Sequence, residues 1–331
     1  MKHVCARGLA IIVALLTLLL APLVALSAAA SAQTWPSSPI TLIAPYPPGA
    51  STDSLARLLQ TAIGTSLGQP IIIENKGGAG GVVGSHFVTR APADGATLLI
   101  TVNAPVVMSP FLQASFPFDP AKALAGVAKV AETYLVLAVR KDSPINSIAD
   151  VIRLAKEKPD GLTYGSAGVG SAHHIAGEIL NKNAGIRVTH VPFQGGGPAL
   201  QNLIGGHIDM CYGTLSAVLP AVESGELKLI AAAEPKRIAE LPNLPAINEA
   251  VPGVETTTWI GVLAPAGTPK EIRQRMYQAI AEALKSPDVQ AKMTSLGLKP
   301  ALQTPDEFDE TIVKDLAAWK AVIEKAGLEK R

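Results

Sequence analysis

Two stretches of this chain gather the residue types that can hold an anion without a cationic side chain. Tyr46-Pro47-Pro48-Gly49-Ala50-Ser51-Thr52-Asp53 follows a short apolar run and leads into a segment with helical spacing; Tyr164-Gly165-Ser166-Ala167-Gly168-Val169-Gly170-Ser171 does the same further along. At such strand-to-helix loops the first N–H groups of the helix lack internal acceptors, and the positive end of the helix dipole points the same way. Glycine lets an anion approach the main chain closely, and hydroxyls add donors. Ser51 or Thr52 is expected to cap the first helix and Ser171 the second. About four to six charge-assisted hydrogen bonds at roughly 1.5–3 kcal/mol each, less an association cost of at least about 4 kcal/mol, suffice for micromolar capture, about −8 kcal/mol. For either loop alone, a tight turn with an ordinary capping hydroxyl is the plainer alternative. Two of them facing one another make a carboxylate cradle.

Further loops can complete the pocket. Asn75, Gly78 and Ala79 follow the second strand, Asn103 the third, and Gln194, Gly213 and Thr214 follow later ones. Tyr46, Phe193 and Trp259 can serve as walls, or as ordinary core. Asp53, in the first helical turn, can accept hydrogen bonds from the loop or simply complement the helix dipole. Of the neighbouring His173 and His174, one is expected to face the cleft and the other water.

The elements that position these loops repeat one grammar. Short apolar runs at 40–44, 71–73 and 98–102 alternate with helical spacing at 52–67 and 82–90, and the order returns with strands at 135–139, 162–164, 188–192, 208–212 and 227–232. Helices fall at 148–158, 172–183 and 198–204. Continuous apolar strands separated by helices imply parallel sheets covered on both faces, and so two α/β lobes. A strand at 259–264 and long amphipathic helices at 270–285 and 306–325 follow, the helices without strand partners of their own. The expected division is a first lobe from 33–133 plus 240–331 and a second from 134–239.

The N-terminus sets the compartment. Lys2, His3 and Arg7 precede an almost wholly apolar stretch from Leu9 to Leu26, and Ala30-Ser31-Ala32 supplies small residues for cleavage after Ala32. This reads as a signal peptide and export to the periplasm, with a retained membrane anchor as the alternative. About 300 residues remain, enough for two lobes. Cys5 leaves with the leader, so Cys211 has no internal disulfide partner. With Lys2 and Arg7 gone, 26 basic residues face 27 acidic ones, and charged residues are only 17% of the chain. That balance leaves no footprint for nucleic acid, and a monomer is expected.

Catalytic and cofactor motifs fall short. In Gly78-Ala79-Gly80-Gly81-Val82-Val83-Gly84 the third glycine of a dinucleotide fingerprint is displaced by Val83, and no phosphate loop ending in Gly-Lys-Ser/Thr is present. His174 and Glu178 offer at most two metal ligands on one helix face. Ser166 has Tyr164 where a nucleophile elbow needs glycine. No cofactor, no metal and no enzymatic activity are expected, with a periplasmic hydrolase or isomerase using the same cleft as the alternative.

Taken together, Ala44-Pro45-Tyr46-Pro47-Pro48-Gly49, Glu74-Asn75-Lys76-Gly77-Gly78-Ala79-Gly80-Gly81, Tyr164-Gly165-Ser166-Ala167-Gly168, His190-Val191-Pro192-Phe193 and Trp259-Ile260-Gly261 through Ala264-Pro265-Ala266-Gly267-Thr268-Pro269 resemble the Bug proteins. These are the extracytoplasmic solute receptors of tripartite tricarboxylate transporters, and the resemblance spans essentially the whole mature chain. It implies a type II periplasmic binding-protein fold of two Rossmann-like lobes with two crossovers and an interlobe cleft. It also implies a small di- or tricarboxylate or aromatic acid, held by main-chain and hydroxyl groups of the loops at 46–53 and 164–171. Its partners would be the membrane components of such a transporter, or a sensor kinase. The chain departs from the family pattern at Ala50, Gly77 and Gly213. The family often has Asp where Gly213 stands, so the departure points to a ligand without an ammonium group.

Overall fold

A computed structural model describes residues 35–254 and 256–330. The leader and its cleavage point lie outside the described residues. Every strand named below belongs to the compact unit that begins at Ser38.

Two mixed sheets organise that unit. The first contains β1 (Ile40–Ala44), β2 (Ile71–Asn75), β3 (Thr97–Val102), β4 (Leu124–Thr133), β10 (Thr258–Pro265) and β11 (Leu298–Gln303), in the order β11-β4-β10-β3-β1-β2. The second contains β5 (Leu135–Arg140), β6 (Thr163–Ser166), β7 (Thr189–Pro192), β8 (Met210–Thr214) and β9 (Leu227–Ala232), in the order β7-β6-β8-β5-β9. Apolar content follows position. Central β10 and β8 are buried along their whole length, whereas edge strands β2, β7 and β11 show solvent-facing residues. Pro192 and Pro300 sit in edge strands, where a missing N–H interrupts no central ladder.

The sheets are not wholly parallel. In the first, β1 runs parallel to β2 and β3 while β10 is antiparallel to β3 and β4. In the second, β6 runs parallel to β7 and β8 while β5 is antiparallel to β8 and β9. β5 and β10, which run against their neighbours, are strands that have just crossed from one sheet to the other. β4 passes to β5 through Tyr134 alone, and the chain returns between β9 and β10. Ala233 N–H donates to Leu135 O at 2.8 Å and Thr256 N–H to Ala233 O at 2.8 Å, tying the two crossings together. Glu234 also accepts from Leu135 N–H at 3.0 Å.

Helices α1 (Ser51–Leu67), α2 (Val82–Thr89), α3 (Ile148–Glu157), α4 (Ala172–Ala184), α5 (Gly196–Ile204) and α6 (Leu215–Glu223) cover the sheets, followed by α7 (Lys270–Leu284), α8 (Pro287–Ser295) and α9 (Pro305–Ala326). The C-terminal helices do have a strand among them: β11, between α8 and α9, pairs antiparallel with β4. None of the described helices is long and apolar enough to cross a membrane.

The long α9 is anchored on β10. Its Phe308 is fully buried and meets Trp259 edge-on, with ring centroids 4.9 Å apart, and the Trp259 indole N–H donates to Asp315 Oδ2 at 2.7 Å. A Cβ at Gly261 would collide with the Phe308 ring. Gly261→Ala should therefore destabilise the fold by about 1–3 kcal/mol through overpacking, although alanine suits a strand interior better than glycine. A thermal melt at neutral pH measures it.

Candidate functional site

The cavity between the sheets is built from strand ends. β1, β6, β7 and β8 each finish where a helix begins, and the starts of α1, α4, α5 and α6 come together: Ala50 and Ser51, Ser171 to His173, Gly196 and Gly197, and Thr214 with Ala217 all line one cavity of ≈ 50 Å³. A single water needs about 10–15 Å³ of such space, so the cavity has room for more than one water. Most of the remaining wall is apolar, including Val102, Leu200, Cys211 and Val218.

The first helix start is left open toward this space. Neither Ser51 nor Thr52 caps it: the cap position is Ala50, whose side chain can accept nothing, and Ser51, Thr52 and Asp53 are buried in the first turn. Among the described residues the N–H groups of Ser51 to Asp53 have no acceptor, and the Thr52 hydroxyl is buried without a partner. The α6 start is likewise without a side-chain cap bond at Thr214, as is α5 at Gly195. At α4, Ser171 does cap, accepting from His174 N–H at 3.3 Å and donating to Gly168 O at 2.6 Å.

Asp53 holds the first loop from below. Its carboxylate accepts from Gly49 N–H at 2.9 Å, Asn75 Nδ2 at 3.0 Å and Arg57 Nε at 3.0–3.1 Å, and Asn75 Nδ2 also reaches Tyr46 O at 2.9 Å. Burial works to raise the Asp53 pKa, but the hydrogen bonds from Arg57, Gly49 and Asn75 outweigh it and hold the carboxyl below its usual range. Asp53 and Asn75 thus position the loop and do not line the cavity.

Other side chains facing the cavity are uncharged. Tyr46 hydroxyl donates to Gly80 O at 2.8 Å, and burial raises its pKa. Burial pushes the Cys211 thiol up to about 12. His173 is 8% exposed, and burial lowers it to about 4, so the imidazole is neutral at neutral pH. His174 does not face water. It is buried, its Nδ1 accepts from Gly170 N–H at 3.4 Å, and its ring packs 4.3 Å from that of His190. His190 Nε2 in turn lies 2.6 Å from Ser166 Oγ. Among the described residues, no Lys, Arg, Asp or Glu lines the cavity.

The lobes touch around the mouth. Ser109 Oγ donates to Gly170 O at 3.2 Å, and Gln113 Nε2 donates to Ala79 O at 3.1 Å and Val169 O at 3.4 Å. Gly168 has φ +119°, and a Cβ there would stand 3.1 Å from Gly80 N on the facing lobe.

Of the residues singled out from sequence, Tyr46, Ala50, Ser51, Ala167, Ser171, His173, Gly213 and Thr214 line the cavity. Ser166, Gly168 and Gly170 shape the loop behind it, whereas Ala79, bonded through its carbonyl to Gln113 of the same lobe, and Gly78, set against Val83, do not line the cavity. Pro48 and Gly49 are exposed on the outside of the first loop, and Gln194 is exposed as well. Phe193 donates its N–H to Ser166 O behind the loop. Asn103 stitches the crossover through Thr257 O, and Trp259 is turned toward α9. Gly196 and Gly197 obey the same strand-to-helix rule, and a glycine turn is the signal that marks them. Leu200, Cys211, Ala217, Val218 and Thr258 carry no chemical signal in sequence.

Two α/β lobes closing on a small cavity ringed by helix N-termini define a solute-binding protein of the periplasmic type. Residues 55–328 match the tripartite tricarboxylate transporter family receptor, and the chain belongs to that family. BugT of Bordetella pertussis is 32% identical over 304 residues, covering 91% of this chain and 93% of BugT. The periplasmic binding protein BugD superposes with a TM-score of 0.84 at 28% identity, covering 90% of this chain and 100% of that one. An R. palustris protein solved with adipate gives 0.85 at 32% identity, covering 90% and 100%. MatC from Rhodopseudomonas palustris, with bound malate, gives 0.82 at 30% identity, covering 87% and 100%.

Asp53→Ala should cost about 1–3 kcal/mol of stability at pH 7 by leaving the Gly49 and Asn75 donors without their acceptor. Because the folded-state pKa is depressed, the wild-type advantage is present above the unfolded carboxylate range and is lost as pH falls through the folded value. Melting curves of both proteins from pH 7 to pH 3 should therefore converge.

Proposed function

We propose that this protein captures a small organic carboxylate between its lobes in the periplasm and presents it to the membrane components of a tripartite tricarboxylate transporter. The observation that carries this reading is the convergence of four helix starts on one cavity that no described cationic side chain lines. Buried N–H groups need acceptors, and the summed dipoles favour a negative guest. A carboxylate with one end among the N–H groups of residues 51–53, reaching the N–H groups of Ala172 and His173 and the Thr214 hydroxyl on the other lobe, supplies what both halves lack. That two related structures hold malate and adipate supports a dicarboxylate of similar size.

Several features agree with the same reading. The leader directs export and is cleaved after Ala32. Residues 33–133 and the chain from Thr256 onward act as one lobe and the chain between them as the other, bending at the paired crossings; Leu241 and Leu244, expected in the first lobe, pack against the core of the second sheet. Ligand contacts to both lobes favour the closed state by their differential affinity. The protein releases its acid unchanged and binds no cofactor.

Calorimetry and melting with malate, adipate, citrate, benzoate and nicotinate test the proposal. One or more should bind, with melting stabilised by about 2.7 kcal/mol at a hundredfold excess over Kd, and NMR should recover the acid intact. Turnover of the acid, or no binding by any of them, would contradict it. Gly168→Val places a branched side chain against Gly80 across the cleft and should weaken capture at least about tenfold, as obstructed closure requires. The variant should still melt cooperatively.

A further inference from the structure

His173 stands in the first turn of α4 and lines the cavity. Its Nδ1 is buried without a partner, and no hydrogen bond among the described residues reaches its Nε2. An unsatisfied buried polar atom is destabilising and calls for an explanation. The ring is held against the start of α5, where a Cβ on Gly196 would lie 3.5 Å from His173 Cε1. Thr258 Oγ1, also in the cavity wall, is a second buried group without a partner. The cavity therefore offers two kinds of contact: donor-only helix starts, and an imidazole able to accept or share a proton.

The charge balance makes the distinction matter. Helix starts can compensate one carboxylate, but a second full negative charge in this space has no Lys or Arg among the described lining residues to meet it, and an unpaired buried charge is strongly unfavourable. The other titratable groups in the lining are Tyr46 and Cys211, both too weakly acidic to change state near neutral pH. His174 and Glu178 follow on the same helix, where His174 packs on His190 of β7 and Glu178 accepts from Tyr164 of β6. α5 bears no charged residue, and α6 has only Glu223, at its far end. On α1, Asp53 is committed to Arg57, Asn75 and Gly49.

We propose that His173 receives the second carboxylate of a captured dicarboxylic acid and that one proton, taken from solvent on binding, is held between the two. No covalent bond changes; the cavity accepts the dianion and a proton together, for a net charge of −1. This rests on the receptor reading above and adds to it both a ligand class and a proton stoichiometry. Free His173 is neutral down to about pH 4, so proton uptake belongs to the bound state. Where it is complete, linkage makes affinity rise about tenfold for each unit of pH decrease.

Titration calorimetry of adipate and malate between pH 6.5 and 8.5, in buffers of different ionisation heat, tests this on the full mature chain. Wild type should take up close to one proton per acid and bind about three- to tenfold more tightly per unit of pH decrease. The monoamide of adipate, which has one ionised end, should bind without that dependence. His173→Gln should lose the proton uptake and the pH dependence. Dicarboxylate binding by wild type with no proton uptake, or uptake that persists in His173→Gln, overturns the inference and leaves the receptor reading standing. A monocarboxylate as the sole ligand does the same. No binding by any acid overturns both.

Discussion

Main-chain N–H groups at a buried helix start must find an acceptor, and the helix itself supplies none for its first turn. Here the fold turns that general constraint into a site. β6 runs parallel to both β7 and β8, so their C-terminal ends share one edge of the second sheet, and the helices after them all start there. α1 starts at the end of β1 on the facing lobe. Ala50 at its cap, where serine or asparagine would have satisfied an N–H internally, leaves that turn open. A ring of partial positive charge results, in a wall that is otherwise mostly apolar.

Small residues line the seam between the lobes. Gly168 and Gly80 approach where side chains would separate the lobes, and Pro47 packs where a Cβ on Gly195 would stand 2.6 Å away. Ser109 and Gln113 then bond across the gap to carbonyls of the loop at 169–170. Beneath, the Asp53 carboxylate fixes the first loop and the His190–Ser166 contact fixes the second, so each lobe brings a preformed half of the site. Preorganised donors lose little freedom on binding, which is how uncharged groups can hold an anion tightly.

Much of the fold is legible from apolar runs. β1 and β9 coincide with the runs at 40–44 and 227–232, because strands buried on both faces leave no alternation to confuse the reading. β4 escapes notice: Leu-Ala-Gly-Val-Ala-Lys-Val-Ala-Glu-Thr is rich in small and charged residues, and its place beside β10 is fixed by a partner more than a hundred residues away. β11 is short, solvent-facing and carries Pro300, and α6 contains Pro220. The parallel expectation fails for the strands that cross between lobes, since direction after a crossover depends on tertiary path. Within the site, glycines and hydroxyls mark the loops, but not which flank of each loop turns inward. That is why Pro48 and Gly49 lie outside while Ala50 and Ser51 lie inside, and why Trp259 serves α9. Leu200 and Val218 look like any core residue until the lobes are brought together.

The most direct measurement is a crystal structure with a bound acid from the calorimetric panel. A carboxylate oxygen within about 2.7–3.2 Å of N–H groups at residues 51–53, with further polar contacts from the starts of α4 or α6, is the predicted result. An acid bound outside this cavity, or held there chiefly by a lysine or arginine side chain, would contradict the account.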